Sequence, residues 1–382
     1  MTKAAELAKM GEVLTNSQIG GRRNLIINGA MQVAQRGTSA TGVGDTNGVY
    51  PTVDRFIFEA GNTSGRLTMT QETISDLSGF TKAIKLACTT ADTSIAADEF
   101  LMLGQRFEGQ DLQQLKKGTS DAEKVTVSFY VKGNANATYT LELRDNDNSR
   151  SNSQEFSVTT SWNRVSMTFD GDTSGALDND NGLSLKCNIW LHGGSTYTGG
   201  THTSNTWHGT TNQRVGDNQT SFFDSTDRTF FVTGWQVELG SVATPFESRS
   251  FGEELALCQR YFQKSGGYSI APSNGSDGTS FSSFSRPLGT CVQWGGASAG
   301  QCPIYLPVRM RVNPTLVRYG NSSGYLGYIA SGSSAPSGDN VLAFHENLFL
   351  NVLTEQSIGI NNQVTGDTIW GVYGGYTVDA EL

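Results

Sequence analysis

The residues best suited to chemistry lie in one stretch with little strand pattern, Leu191 to Asp224 (LHGGSTYTGGTHTSNTWHGTTNQRVGDNQTSFFD). It carries Tyr197, Trp207 and three of the four histidines, surrounded by Thr, Asn and Gln. Aromatic faces stack on the C–H groups of a sugar ring, while amides and hydroxyls bond its hydroxyl groups. The stretch therefore predicts a glycan site that uses Tyr197, Trp207 and His208.

Two other interpretations of this stretch remain open. A long segment without regular structure inside a compact domain is usually functional or mobile, but Trp207 could simply anchor it to the domain while the rest is solvated. A histidine metal site is the other alternative. The spacing between His202 and His208 matches no common ligand pattern, and no carboxylate cluster accompanies it. We therefore predict neither a metal nor a cofactor.

Two acidic turns have side chains that Ca²⁺ accepts as ligands. They are Asp145-Asn146-Asp147-Asn148 and Asp178-Asn179-Asp180-Asn181-Gly182. The second departs from the EF-hand loop, because Gly182 stands where an oxygen ligand is required and no Glu follows at the twelfth position. Both are predicted to be solvated turns.

No catalytic motif stands out. The sequence has no G-x-S-x-G elbow, no P-loop and no HExxH. Glycoside hydrolysis needs only two carboxylates at a suitable separation, which no sequence pattern identifies. We predict no catalytic residues, with an enzyme acting on surface polysaccharide as an alternative.

The elements around this stretch are predicted to be strands. Eight short runs alternate between apolar and polar residues from Leu67 to Leu239, with turn pairs such as Asp170-Gly171 between many of them. They indicate a mainly β fold with an antiparallel, jelly-roll-like β-sandwich over 51–245. By fold analogy, such sandwiches commonly serve as carbohydrate-binding modules. The runs are RLTMTQET, AIKLACT, VTVSFYVKG, TYTLELRD, QEFSVTT, NRVSMTFD, LSLKCNIWL and TFFVTGWQVEL.

A linking helix is predicted within 246–265. Ser250 and Glu253 form a capping box, so the helix should begin at about Phe251, and Ser265-Gly266-Gly267 should end it. A helix of this length is marginal alone, so one apolar face should pack on its own domain and another on a neighbouring element or chain. Four residues are predicted to share a face: Phe251, Leu255, Cys258 and Phe262.

The two ends of the chain have different patterns. Residues 4 to 14 predict a short amphipathic helix with Leu7, Met10 and Leu14 on one face, inside an N-terminal segment 1–50. The run VDRFIFE (53–59) predicts a strand. Residues 266–382 predict a C-terminal β-domain, with the chain end tied into a sheet.

Composition and charge restrict the function classes. The 382 residues include 45 Gly, and only 16% are charged, with a net charge of −9. Nucleic acid is not expected as a partner, because phosphate binding needs a basic surface. No run approaches the ~20 apolar residues of a membrane span, and the start lacks the apolar core of a signal peptide. Five widely spaced cysteines predict free thiols.

Several segments, in a fixed order, carry a resemblance to a known family. WQVELGSVATPFESRSFGEELALCQRYFQ (235–263) resembles a segment of tail fibre and related receptor-binding proteins of tailed bacteriophages, especially those infecting marine bacteria. The resemblance extends to four other segments. They are NLIINGAMQVAQRGTS (24–39), VDRF (53–56), LPVRMRVNPTL (306–316) and the closing DAEL (379–382).

The resemblance implies a virion protein, assembled in the host cytoplasm. Tail fibres of this class are generally homotrimers, which would place Leu7, Met10 and Leu14 and the face of the linking helix at an oligomer interface. The N-terminal segment would bind phage tail or adaptor proteins, and the β-domains would bind host surface polysaccharide. A structural virion adaptor or decoration protein without receptor binding is the alternative.

Overall fold

The computed structural model describes residues 3, 23–44, 46–268, 270–275, 286–289, 300–323, 326–332, 342–345, 348–362 and 367–382. The predicted N-terminal helix, with Leu7, Met10 and Leu14, lies outside these residues. The chain divides into two compact units. The first comprises Met1–Gln32, Ser39–Ser250 and Leu382, and the second comprises Val33–Thr38 and Phe251–Glu381.

The first unit is an antiparallel, jelly-roll-like β-sandwich, which confirms the predicted fold class. One six-stranded sheet has the order β1-β4-β5-β12-β7-β10, and the other has the order β2-β3-β6-β11-β8-β9. The strands are β1 (Ser39–Val43), β2 (Asn47–Val49), β3 (Ile57–Gly61), β4 (Arg66–Thr73), β5 (Lys82–Thr90), β6 (Phe100–Glu108), β7 (Val125–Gly133), β8 (Ala137–Asp145), β9 (Arg150–Val158), β10 (Asn163–Phe169), β11 (Leu183–Gly193) and β12 (Thr229–Leu239).

The sandwich forms because side chains alternate across each strand. In β8, Leu141 and Leu143 point into the core between the sheets, which leaves Glu142 for the opposite face. The eight predicted runs all coincide with strands, whereas β1 and β2 were not predicted. Strand β6 was not predicted either. Its residues are buried on both faces, so its sequence does not alternate.

The prediction of a strand from Val53 is wrong for the first four residues of VDRFIFE. Arg55 has φ of +73°, a left-handed conformation that does not continue a strand. Its guanidinium is buried and donates to the backbone oxygen of Arg106 at 2.8 Å. Strand β3 therefore begins at Ile57.

A covering segment, 194–221, connects the end of β11 to the last part of the sandwich. It contains the short helix α1 (Ser195–Thr198) and a 3₁₀ helix at Thr211–Gln213. A 3₁₀ helix at Phe222–Asp224 follows it, and two more precede β7 at Gly109–Asp111 and Gln113–Leu115. The stretch that lacks strand pattern in the sequence is thus ordered on the sandwich.

The second unit begins with helix α2 (Phe251–Gln259), which starts where predicted. The placement of Phe262 on this helix is wrong. Phe262 begins strand β13 (Phe262–Lys264), because its backbone pairs with Asp379. Phe262 and Cys258 are 5% and 0% exposed, whereas Phe251 is 47% exposed and packs edge-on against Tyr268. Two of the four residues predicted to share the interface face, Cys258 and Phe262, are therefore buried within their own chain.

One long strand organises the rest of the second unit. Strand β21 (Asp367–Asp379) pairs with β13, β14, β16 and β17, which confirms that the chain end is tied into a sheet. A separate sheet has the order β15-β20-β19. The other strands are β14 (Arg286–Gly289), β15 (Gly300–Tyr305), β16 (Thr315–Tyr319), β17 (Leu326–Gly332), β18 (Leu342–His345), β19 (Leu348–Thr354) and β20 (Ser357–Asn362).

Among the described residues, three cysteines are free and buried: Cys88, Cys187 and Cys258. Within the same residues, every helix is too short or too polar to span a bilayer.

A bulge in β12 depends on Gly234. Its φ of +62° is left-handed, and the pairing with β7 shifts between Thr233 and Gln236. A Cβ at this position would lie 2.7 Å from the Phe80 ring. The bulge lets the neighbouring Trp235 fill the core between the rings of Phe56 and Phe129, at centroid distances of 5.6 and 5.5 Å.

Gly234→Ala should therefore lower the free energy of unfolding of the sandwich by about 1–3 kcal/mol, through backbone strain and overpacking. Gly209→Ala is the matched control, because its added Cβ meets nothing nearer than 3.9 Å. Urea unfolding followed by tryptophan fluorescence measures both. Equal midpoints for the two variants would contradict this account of the bulge.

Candidate functional site

The face of the second sheet that points away from the core carries an unusual set of side chains. On β8 these are Thr140, Glu142 and Arg144, which alternate with the core leucines. On the adjacent strand β11, the same alternation places Lys186 and Trp190 on this face. An outer sheet face normally carries exposed polar residues, yet Glu142 and Trp190 are both fully buried.

They are buried because the covering segment lies over this face and along its edge. Strand β9 is at the edge of the sheet, and the backbone of His208 pairs with that of Ser151 through two hydrogen bonds of 2.8 and 2.9 Å. Further along, the Thr220 amide donates to the backbone oxygen of Thr138 at 2.8 Å. The segment thus satisfies backbone groups of the edge strand β9 and of β8 beside it.

The strongest contact under the segment is an ion pair between Glu142 of β8 and Arg214 of the segment. The Arg214 guanidinium donates to both carboxylate oxygens, at 2.7 and 2.9 Å. The Ser151 hydroxyl and the Trp190 indole N–H also donate to this carboxylate, at 2.7 and 2.8 Å. Every contact favours the ionised form of Glu142.

These contacts set the pKa of Glu142. Burial by itself raises the pKa, but the charge of Arg214 and the hydrogen bonds from Arg214, Ser151 and Trp190 outweigh it and lower the pKa to about 2. Glu142 is therefore a fixed negative charge near neutral pH. It orients Arg214 and cannot supply a proton there.

A cavity of about 240 Å³ lies beside this ion pair, and we call it the outer-face groove. It is built from residues of five strands of the second sheet (β2, β3, β6, β8 and β11), the turn after β8, and the covering segment with its helix α1. Its lining residues are Asn47, Glu59, Phe100, Met102, Arg144, Asn146, Lys186, Trp190, Tyr197 and Arg214.

An aromatic platform forms one wall of the groove. The half-buried ring of Tyr197, on α1, packs against Trp190 at a centroid distance of 5.0 Å and edge-on against Phe100 at 5.8 Å. The Arg214 guanidinium carbon lies 4.9 Å from the Trp190 ring centroid, within the range of a cation–π contact. Tyr197 is therefore held in one orientation by packing rather than by a hydrogen bond.

Charged and amide groups form the rest of the groove. Glu59 shares one carboxylate oxygen between Arg106, at 2.6 Å, and Lys186, at 3.1 Å. The Arg144 guanidinium donates to the backbone oxygen of Ser149 at 3.2 Å and to the Ser151 hydroxyl at 3.0 Å. Within the part of the chain that the structure describes, Arg144 forms no salt bridge. The groove thus offers both hydrogen-bond donors and acceptors.

The three residues predicted to bind glycan lie in different places. Tyr197 lines the outer-face groove, whereas Trp207 lines a separate cavity of only about 20 Å³. His208 is half-buried, and its Nδ1 accepts a hydrogen bond from the Thr210 amide at 3.2 Å. Burial lowers the pKa of His208.

Trp207 has the contacts expected of an anchor. Its indole N–H donates to the backbone oxygen of Asp170 at 2.7 Å, and its ring packs on the sandwich core. The Lys117 ammonium lies 5.3 Å from its ring centroid. These contacts hold the middle of the covering segment on the sandwich, at a site distinct from the outer-face groove.

A second buried charge cluster supports that anchor. Lys117 forms salt bridges with Asp145 and Asp172, and Arg150 donates to both oxygens of Asp172 at 2.7 and 3.1 Å. Burial raises the pKa of Asp172, but these bonds outweigh it, and the pKa is lowered. The prediction of a solvated turn is wrong at Asp145, which is 0% exposed because it pairs with Lys117.

Two histidines of the stretch Leu191 to Asp224, considered in the sequence as a metal site, are engaged by other side chains. His192 is buried between the Ser221 hydroxyl and the Glu99 carboxylate, and His202 contacts the Ser153 hydroxyl. No group of three or more potential ligands occurs among the residues that the structure describes.

Sequence reasoning missed most of the groove. It did not identify Phe100, Arg144, Lys186, Trp190 or Arg214. A signal was present in TYTLELRD and LSLKCNIWL, where charged residues alternate with core residues on strands too apolar to lie at an exposed edge. Such a pattern indicates that the second face of these strands is covered and polar.

Comparison with known proteins gives structural neighbours only. No protein-family model and no curated protein match the sequence. A family 30 carbohydrate-binding module is 12% identical, with a TM-score of 0.31, over 61% of this chain and 97% of that one. A family 11 module from Clostridium thermocellum, solved in complex with a beta-1,3-1,4-mixed-linked tetrasaccharide, is 11% identical, with a TM-score of 0.26, over 55% and 99%.

The solved structures also include a phage protein. The enzymatically active domain of bacteriophage CBA120 tailspike protein 4 is 10% identical, with a TM-score of 0.29. The match covers 56% of this chain and 21% of the tailspike chain.

The low pKa of Glu142 predicts an acid-dependent loss of stability. An unfolded Glu titrates at about pH 4.3, so the Glu142 contribution is fully present above that pH and is lost as pH falls toward 2. The two pKa values correspond to a contribution on the order of 3 kcal/mol. Urea unfolding between pH 7 and pH 3 should show this loss.

Glu142→Gln should remove that part of the pH dependence and lower the free energy of unfolding at pH 7 by about 3 kcal/mol, because Arg214 loses its partner. The control is Glu72→Gln on β4, whose side chain is 40% exposed. It should change the free energy of unfolding by less than about 0.5 kcal/mol. An unchanged acid dependence in Glu142→Gln would refute the assignment.

Proposed function

We propose that this chain is a receptor-binding protein of a phage tail fibre, and that its sandwich binds a host surface glycan in the outer-face groove without cleaving it. The observation that supports this proposal is the composition of the groove. A rigid Tyr197 ring stands beside amides and charged groups of both hydrogen-bonding types. These are the groups needed to stack on one face of a sugar ring while bonding its hydroxyls.

The virion part of the proposal rests on the ordered sequence segments that resemble phage tail fibres. Under this proposal, the N-terminal segment binds phage tail or adaptor proteins, and the protein assembles in the host cytoplasm as a homotrimer. Three copies would convert weak sugar contacts into useful avidity, because the second and third binding events occur at high local concentration.

Binding without cleavage agrees with the state of the groove carboxylates. A glycosidase needs a carboxyl group that stays protonated near neutral pH to act as general acid. Glu142, with its pKa lowered to about 2, is ionised there. The Glu59 carboxylate is engaged by two cations, Arg106 and Lys186, so it already serves a structural role.

Adsorption competition tests receptor binding at the groove. Purified protein, added to cells of the phage's host before the phage, should reduce adsorption. Tyr197→Ala should weaken this competition at least about tenfold, since loss of a stacked ring costs on the order of 1–1.5 kcal/mol per site and avidity multiplies the effect. The measurement is the protein concentration that halves the adsorption rate.

Tyr305→Ala is the matched control. This tyrosine is 75% exposed and lies on β15 of the second unit, so its loss should leave competition unchanged. If Tyr305→Ala loses competition while Tyr197→Ala retains it, the receptor site belongs to the second unit. If the wild-type protein does not compete, the receptor-binding proposal is wrong. A structural adaptor or decoration role then replaces it.

The homotrimer is tested separately. Light scattering of the purified full-length chain should give the mass of three chains, and the mass should persist on dilution to nanomolar concentration. Phe251→Ser, at the exposed start of α2, should weaken the trimer, with Val317→Ser on β16 as an equally exposed control. A monomeric mass for the wild-type chain contradicts the proposed assembly.

A further inference from the structure

We infer that the outer-face groove is selective for acidic glycans, in which carboxylate or sulfate groups of the sugar are bound by Arg144 and Lys186. The inference rests on the proposed glycan function and names the substrate class of the same groove. Its basis is the charge arrangement of the groove, which leaves positive charge unmatched at one end.

The charges of the groove can be paired off through their contacts. Arg214 is used by Glu142, through both of its carboxylate oxygens. The single contacted oxygen of Glu59 is shared by two cations, Arg106 and Lys186. Arg106 also donates to an oxygen of Leu382, so Glu59 is shared between Lys186 and a cation that has a second acceptor. Arg144 has no part in these contacts.

Arg144 stands apart from these pairs. It lines the groove, and its hydrogen bonds go to the backbone oxygen of Ser149 and the hydroxyl of Ser151, both uncharged. Its neighbour in sequence, Asp145, points to the other side of the strand and is neutralised by Lys117. An arginine fork with only neutral partners is suited to a carboxylate or sulfate, whose oxygens it can bind in pairs.

The surroundings of the two cations also favour an anion. Burial, followed by the charge of Arg214, lowers the pKa of Arg144, although the charges of Glu142 and Asp145 oppose the effect. Burial likewise lowers the pKa of Lys186, although Glu59 opposes the effect. Both shifts mean that the cationic forms are held in an environment that solvates them poorly. A bound anion would compensate for that loss of hydration.

The net charge of the whole chain restricts the binding of anions to the groove. The chain as a whole carries a net charge of −9, so it repels polyanions in general. An acidic glycan will therefore bind this acidic protein only in the groove, where Arg144 and Lys186 contact its negative groups. Neutral glycans would stack on Tyr197 but would leave Arg144 unpaired.

Binding of the full-length protein to matched pairs of immobilised polysaccharides tests the inference. The pairs are κ-carrageenan with desulfated κ-carrageenan, and pectate with methyl-esterified pectin, which differ mainly in sulfate or carboxylate charge. Host surface polysaccharide is included. We expect at least one acidic member, or the host polysaccharide if it carries acidic groups, to bind at least about tenfold more tightly than its neutral counterpart. Desulfation or carboxyl reduction supplies that counterpart for the host polysaccharide.

Arg144→Gln should weaken the acidic binding by about tenfold or more, as expected for loss of a charge-assisted hydrogen bond. Lys85→Gln is the control, because it makes the same change in net charge on β5 of the other sheet. Raising the salt concentration should weaken the wild type more than Arg144→Gln.

The outcomes distinguish a failure of the acidic selectivity from a failure of glycan binding itself. Equal binding of charged and uncharged counterparts, lost in Tyr197→Ala, overturns the acidic selectivity and leaves glycan binding in place. Acidic binding that Lys85→Gln reduces as much as Arg144→Gln also overturns it. No binding to any polysaccharide, the host's included, overturns both.

Discussion

A carboxylate buried on the outer face of the second sheet determines where the covering segment lies. Glu142 lies on β8, next to the edge strand of the second sheet, and faces away from the core. Its buried charge would be costly there without partners. Arg214 supplies the opposite charge, and two neutral donors complete the shell. Because Arg214 belongs to the covering segment, the requirement to neutralise Glu142 is also what holds that segment on the sheet. The Tyr197 platform and the groove both follow from that attachment.

The sandwich thus uses buried charge twice, for different purposes. At one end of the covered face, Lys117, Arg150, Asp145 and Asp172 form a balanced cluster around the Trp207 anchor. At the groove the balance is incomplete, because Arg144 has only neutral partners there. A balanced cluster fixes a conformation, whereas an unbalanced one retains affinity for something outside the protein. This difference separates the anchoring site from the proposed binding site.

Strands were predictable from the sequence where half-buried strands alternate, as RLTMTQET does, and this run matches its strand in full. Strand β6 was not predictable in this way, since burial on both faces removes alternation. The end of α2 was missed because the pairing of Phe262 with Asp379, distant in sequence, outweighs local helical spacing. Of the candidate site, composition identified the covering segment and Tyr197. It could not identify Arg144 or Lys186, because their role depends on which strands are neighbours and on which face the segment covers.

The covering segment joins two strands, yet it contributes little to the core between the sheets. It meets the second sheet through side chains such as Arg214 and Gln219 and through backbone hydrogen bonds at His208 and Thr220. Its exposed positions, such as Thr201 and Thr203, can therefore change in sequence without altering strand register or core packing. Under the proposed function, this arrangement would let binding specificity change without loss of the fold. New binding specificities would then arise from substitutions in the covering segment, while the sandwich stays under separate selection.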